Sequence, residues 1–178
     1  MIEKYICFLR GINVGGHHKL PMAELRIEME KMGFKNVKTL LNTGNIVFEA
    51  IDYDLVILEE KISKHLKATF GFNVPTILRK FEIITELIGN EPFKNVIVTK
   101  DHRLYTSFLR NDSTLDLILP WTSEDKSFMI LSIFDNVILS VLDLSKSNTT
   151  KAMAALDKKF GKDITTRNWN TILKIEKV

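Results

Sequence analysis

Disulfide chemistry is closed to this chain. Its 178 residues hold one cysteine, Cys7, so neither a disulfide framework nor a cysteine-based zinc site is available within one chain. A large excess of charge is missing as well. Twenty-five Lys and Arg face 22 Asp and Glu, a net +3, whereas proteins that hold nucleic acid mainly through electrostatics carry a larger surplus. No stretch approaches the roughly 18 consecutive apolar residues of a membrane-spanning helix. The opening residues, MIEKYICFLR, contain an acid and an apolar run of only five, Tyr5 to Leu9. A secretory signal has a positive start, a longer apolar stretch and a small-residue cleavage site. These absences give the expectation of a cytoplasmic protein without membrane association, with Cys7 a small buried hydrophobe in a strand. What is present is ordinary globular composition, 45% apolar and 26% charged, in enough chain for one generous domain or two small ones.

The apolar pattern alternates between strand and helix. Residues 4–9 read as a strand ending at Arg10-Gly11, followed by a glycine-rich loop, Gly11 to Lys19. Pro21 suits the first turn of a helix. Met22, Leu25, Met29 and Met32 recur on one helical face, and Gly33 closes it. Val37 to Leu41 and Ile46 to Phe48 read as a hairpin around Asn42-Thr43-Gly44-Asn45. Leu55, Leu58, Ile62 and Leu66 mark a second helix closed by Gly71, and Asn73 to Leu78 a fourth strand. The order is βαββαβ, the ferredoxin-like unit, followed by a linking helix over residues 81–90.

The pattern then restarts. Tyr105-Thr106-Ser107-Phe108-Leu109-Arg110 repeats Tyr5-Ile6-Cys7-Phe8-Leu9-Arg10 with four identities in six, one hundred residues on. A short helix is expected over 114–119, strands over 128–134 and 137–142 around an Asp135-Asn136 turn, and a helix carrying Met153, Leu156 and Phe160. A brief fourth strand is expected over 163–166, and a last helix with Trp169, Ile172 and Leu173. The expected class is α+β: two tandem ferredoxin-like (α/β-plait) units, residues 1–92 and 93–178, with an added C-terminal helix.

This topology makes a prediction about loops. A crossover helix returns the chain so that the second strand runs parallel to the first. The loop after strand one and the hairpin between strands two and three then emerge at the same end of the sheet. Arg10, Gly11, Asn13, Gly15, Gly16 and Lys19 are thereby expected beside Asn42, Thr43, Gly44 and Asn45. A glycine loop opening onto a helix N-terminus exposes amides to an anion, and Arg10 and Lys19 add full charges. The spacing is neither a P-loop nor GxGxxG. The plain alternative is that the glycines permit tight reversals with positive φ.

A third cluster lies near the C-terminus. Thr165 or Thr166 is placed to cap the final helix, with Arg167, Asn168, Trp169 and Asn170 filling its first turn. Arginine and amides there, where acids are usual, point to an anion or a buried carboxylate as partner, while Trp169 reads as a core anchor. Residues 145–178 hold eight Lys and Arg against three acids, which is either a solvated helical face or a lean toward anionic partners. His17-His18 lacks a third ligand at a suitable spacing, so no metal and no cofactor are expected.

Three segments resemble one family, the domain of unknown function 1697. They are Leu9-Arg10-Gly11-Ile12-Asn13-Val14-Gly15-Gly16 with Lys19 and Pro21-Met22, then Thr43 to Phe48, then Thr166-Arg167-Asn168-Trp169-Asn170-Thr171. The resemblance runs through the whole chain in order. It implies a small bacterial cytoplasmic protein of two ferredoxin-like halves, and it brings no catalytic residues.

Three functions follow as expectations. The first is binding of a phosphate-bearing ligand, a nucleotide or other small phosphate compound, with a nucleic-acid end a weaker fit. Arg10, Lys19, the glycine loop, Asn42, Asn45, Arg167, Asn168 and Asn170 would contribute to it. The second is a metal-independent enzyme acting on a small anion in a cleft between the halves; it lacks an evident general base. The third is a structural or partner-binding protein with no ligand.

Overall fold

Strand β1 (Ile2–Leu9) organises the first sheet in the computed structural model, which describes residues 1–110, 117–161 and 163–178. It pairs on one side with β3 (Asn45–Ile51) and on the other with β4 (Thr76–Lys80). The strand β2 (Lys35–Leu40) lies outside β3. The order is β2-β3-β1-β4, with every neighbouring pair antiparallel. Side chains alternate across a strand, so Tyr5, Cys7 and Leu9 share one face. They join Ile46, Phe48 and Leu78 in a core cluster with two helices.

Those helices are α1 (Met22–Lys31) and α2 (Leu55–Phe70). Leu25 and Met29 of α1 and Leu58, Ile62 and Leu66 of α2 are buried in the same cluster. Each fully buried Leu or Ile stabilises by about 1.5–3 kcal/mol. Asp54 begins α2 by accepting the Val56 and Ile57 N–H groups at 3.0 and 3.1 Å. Gly71, at φ +79°, ends it. Cys7 is buried as expected.

A second sheet is built from β5 (His102–Leu109), β6 (Trp121–Thr122), β7 (Phe128–Phe134), β8 (Val137–Asp143) and β9 (Ile164–Asn168). Its order is β6-β7-β8-β5-β9, again antiparallel throughout. The helix α4 (Thr149–Phe160) packs Ala152 and Leu156 against Tyr105, Leu109, Ile130, Ile138 and Leu142. A bulge between Ile130 and Ser132 reverses the side-chain parity of β7. Ile133 thereby packs against the same core as Phe128 and Ile130. Two further helices are α3 (Glu82–Gly89) and α5 (Trp169–Ile175). The fold is therefore α+β, with two antiparallel sheets and five helices among the described residues. The chain divides into two compact units, residues 1–86 with 175–178, and residues 87–174. No helix among the described residues is long and apolar enough to cross a membrane.

The hydrogen bonds around Leu9-Arg10 recur around Leu109-Arg110. Leu9 N–H donates to Gly44 O at the tip of its hairpin (2.8 Å), and Leu109 N–H to Asn136 O at the tip of its own (2.9 Å). Arg10 N–H donates to Pro75 O, just before β4, and Arg110 N–H to Asp163 O, just before β9. The tyrosines repeat too. Tyr5 Oη donates to Asp52 and accepts from Tyr53 N–H ahead of α2, while Tyr105 Oη bonds Thr149 Oγ1 at the start of α4.

Several boundaries differ from expectation. The fourth strand starts at Thr76, because Pro75 has no N–H to give a ladder. The hairpin loop is residues 41–44, one residue earlier than the sequence suggested, since Leu40 and Asn45 are already paired. The helix expected over 114–119 lies outside the described residues at 114–116, and residues 117–119 are not helical. The brief strand expected over 163–166 is β9, which runs on to Asn168, so Thr165 and Thr166 are strand residues rather than a helix cap, and Arg167 and Asn168 are not in a helix first turn. β-branched Thr165 and Thr166 suit a pleated ladder, and β5 offers one from Tyr105 to Leu109.

Candidate functional site

The loop after β1 folds as a small hairpin of its own. Val14 and His17 form an antiparallel bridge, with His17 N–H donating to Val14 O at 3.1 Å. Gly15 and Gly16 fill the two central positions at φ +60° and +79°. Two successive positive φ values define the primed turn that matches strand twist, which glycine adopts without penalty. Asn13 N–H donates to His18 O, and the His18 ring stacks on Phe72 at 4.7 Å between centroids. His18 Nδ1 lies 3.2 Å from Gly11 O; a carbonyl only accepts, so that nitrogen carries the proton.

Asn13 joins this loop to the β2–β3 hairpin. Its Oδ1 accepts from Leu20 N–H at 2.8 Å, and its Nδ2 donates to Leu20 O at 3.0 Å and to Asn42 O at 2.9 Å. One amide thus closes the base of the loop and pins it to Asn42. The two polar segments expected to share one end of the sheet are bonded there.

Beside that bond lies an open depression of about 420 Å³, with Asn13, Gly16, Lys19, Met22 and Asn42 among its lining residues. Pro21, also on its wall, occupies the N-cap of α1 at φ −65°, and no side chain caps that helix. The first N–H groups of α1 lack an intrahelical partner, as in any helix. They add partial positive charge next to Lys19, tempered by Glu24 in the same first turn.

Other sequence candidates are placed differently. Arg10 is at the opposite end of the loop from Lys19 and is half-buried, its backbone tied to Pro75. Thr43 is exposed on the hairpin, where its Oγ1 accepts from Asn45 Nδ2 at 2.9 Å. Asn45 is 0% exposed and also donates to Leu40 O, so its amide staples the hairpin. Gly44, at φ +72°, lets two segments touch: a Cβ there would lie 2.7 Å from Leu9 Cβ and 2.8 Å from Ile12 Cδ1. Gly11, at φ +70°, faces open space.

Arg167, Asn168 and Asn170 belong to the second unit. Arg167 Nη1 donates to Thr165 Oγ1 at 2.8 Å and to Thr166 O at 3.0 Å, folding the side chain along its own strand. Asn168 Oδ1 accepts Asn170 N–H at 3.0 Å and so begins α5. Trp169 meets Phe93 edge-on at 5.1 Å. No group of three or more His, Cys, Asp and Glu among the described residues is arranged to hold a metal. Sequence reasoning passed over Leu20, whose backbone receives the Asn13 amide, and Phe72, which carries the His18 ring. Neither has a local pattern that announces such a partnership.

Two antiparallel α+β units, the first with an open depression beside its glycine loop, define the class of protein. The chain belongs to the family described as protein of unknown function (DUF1697), whose model matches residues 2–129. It is similar in structure to the conserved bacterial protein SP0830 from Streptococcus pneumoniae. The TM-score is 0.72 and the identity 25%, over 99% of this chain and 98% of that one. No curated protein matches the sequence.

Proposed function

We propose that the depression between the 13–19 loop, the start of α1 and Asn42 binds a phosphate-bearing ligand, a nucleotide or a nucleic-acid end. One observation carries this reading: the depression opens where an uncapped helix N-terminus and Lys19 adjoin. Helix amides and an ammonium group are the donors that phosphate oxygens require. Lys19 is its principal cation, with Gly16 and Asn42 shaping the wall. The openness of the depression suits a ligand that enters by one end, such as a terminal phosphate.

The same reading takes the two units as tandem ferredoxin-like βαββαβ repeats in a cytoplasmic protein, divided near residues 86–92. The repeated bonds at Leu9-Arg10 and Leu109-Arg110 support the duplication, and so do the matching strand orders. A second reading, a partner-binding protein without a small ligand, is favoured by the spent amides of Asn13 and Asn45. In that case the motif residues only build the rim.

An NMR titration of the full chain with inorganic phosphate, a nucleoside monophosphate and a 5′-phosphorylated dinucleotide decides between them. Binding here shifts the Gly16, Lys19, Met22 and Ala23 amides saturably, and Lys19→Ala weakens it about two- to fivefold, the range of an exposed ion pair. Silence at those amides, or identical curves for Lys19→Ala, leaves the partner-binding reading.

A further inference from the structure

The second unit carries a depression of its own, about 330 Å³, on the side of its sheet away from the α4 core. Its floor is apolar: Met129 and Leu131 from β7, Val141 from β8, and Val96 from the segment before β5. Met129 and Val141 are directly paired, and Leu131 is the extra residue of the bulge. We propose that this depression is a binding site for a small apolar monocarboxylate.

Hydrogen-bond accounting on the rim sets the charge of the occupant. Asp143 is committed: its Oδ1 accepts from the Ser145 amide and hydroxyl, and its Oδ2 pairs with Lys146 at 3.2 Å. Lys146 also reaches Lys126 O. That pair cancels its own charge. Among the residues that line the depression two lysines face one aspartate, and Lys126 is the one that makes no ion pair among the described residues.

His102 adds a directed donor. Thr99 N–H lies 3.2 Å from His102 Nδ1, and a backbone N–H can only donate. Nδ1 is therefore the acceptor, and the neutral ring carries its proton on Nε2. Nε2 has no partner among the described residues. A rim with one net positive charge, a free imidazole N–H and the exposed Asn95 beside it offers donors to a single anionic group. The floor of Val96, Met129, Leu131 and Val141 offers an apolar surface to a ring or branched chain. A multiply charged phosphate would match the charge poorly and leave the floor uncovered.

The test is an NMR titration of the full chain with 3-phenylpropanoate and with the neutral 3-phenylpropan-1-ol. The site predicts saturable shifts at the Val96, Met129, Leu131 and Val141 amides, with the acid binding about two- to fivefold tighter than the alcohol. Lys126→Asn keeps a residue that tolerates the φ of +55° found there. It removes the preference for the acid and leaves alcohol binding as it was. Lys19→Ala, on the first unit, changes neither curve. The proposal is overturned if those amides stay unmoved, if acid and alcohol bind equally to the unaltered chain, or if the preference survives Lys126→Asn in a protein with an unchanged melting temperature.

Discussion

Arg79 and Arg167 hold the same register in their two sheets. Arg79 lies opposite Ile6 on β1, and Arg167 lies opposite Thr106 on β5. Each donates Nη1 to the carbonyl of the residue before it, Leu78 at 2.7 Å and Thr166 at 3.0 Å. Ile6 and Thr106 are themselves one hundred residues apart. The correspondence thus extends the Tyr5–Arg10 and Tyr105–Arg110 repeat into strands where the sequence alone shows no match.

The two arginines are not expected to matter equally. Arg79 is 2% exposed and sits 4.0 Å from Glu59, itself buried, whose Oε1 accepts the Leu78 N–H. Arg79→Met leaves that carboxylate buried without its cation, which costs about 3–5 kcal/mol. Arg167 is only half-buried, and its Nη1 bonds two neutral oxygens, Thr165 Oγ1 and Thr166 O. Arg167→Met is expected to cost about 1–2 kcal/mol. Urea unfolding of the two variants measures the difference. Equal losses would contradict this account of the Glu59–Arg79 pair.

Gly44 is a stronger requirement than the other glycines at positive φ. Alanine at Gly44 meets a left-handed backbone and two side chains closer than real Cβ atoms come, Leu9 and Ile12. Both are buried, so neither has room to yield. The expected loss for Gly44→Ala is about 2–4 kcal/mol. Gly71→Ala, at φ +79° with nothing near its Cβ, should lose only about 1 kcal/mol. The pair of variants separates close packing from backbone strain by the same unfolding measurement.

Asn13→Asp tests the amide that ties the rim together. Aspartate tolerates the φ of +55° at this position, so the backbone term is held nearly constant. The Leu20 N–H keeps its acceptor, but Leu20 O and Asn42 O then face a carboxylate in place of an N–H donor. The variant should lose about 1–3 kcal/mol at neutral pH. Part of that returns as the new carboxyl is protonated in acid. The loss should appear first as faster amide exchange at Leu20, with the α2 amides unaffected.

Much of this architecture was legible because apolar spacing has a period. Leu55, Leu58, Ile62 and Leu66 fix α2 from the sequence, and the crossover rule then sets the glycine loop beside the hairpin, where Asn13 and Asn42 meet. What stayed hidden depends on partners distant in sequence. Trp121-Thr122 is a strand only because Met129 and Ile130 pair with it. Arg167 and Asn168 read as the first turn of a helix, but the β5 edge claims them for the strand expected just before. His102 and Arg103 extend β5 through polar residues that carry no strand signal and pair only because β8 reaches Asp143. In the site, amide side chains were expected to face a ligand, while Asn13 and Asn45 face the protein's own backbone. Composition does not distinguish the two, since asparagine serves a tight turn and a ligand with the same groups.

Asp125 offers a pH signature for the turn between β6 and β7. Its Oδ1 accepts from Ser123 Oγ at 2.6 Å, Ser127 Oγ at 2.7 Å and Ser127 N–H at 3.1 Å. These bonds favour the charged form, the Ser123 hydroxyl most of all, and lower its pKa from 3.8 to about 2. A carboxyl depressed in the folded state contributes stability that is fully present above its unfolded value and is lost as pH falls through the folded one. The window is therefore about pH 4 down to about pH 2, and the turn should be unchanged at neutral pH. In a carbon-detected titration, Asp125 should be among the last carboxyls to protonate. Ser123→Ala should move its midpoint up toward the ordinary value while leaving Asp143, held by Ser145 and Lys146, where it was. A midpoint for Asp125 near 4 in the unaltered chain would mean that the two serine hydroxyls do not hold it in solution.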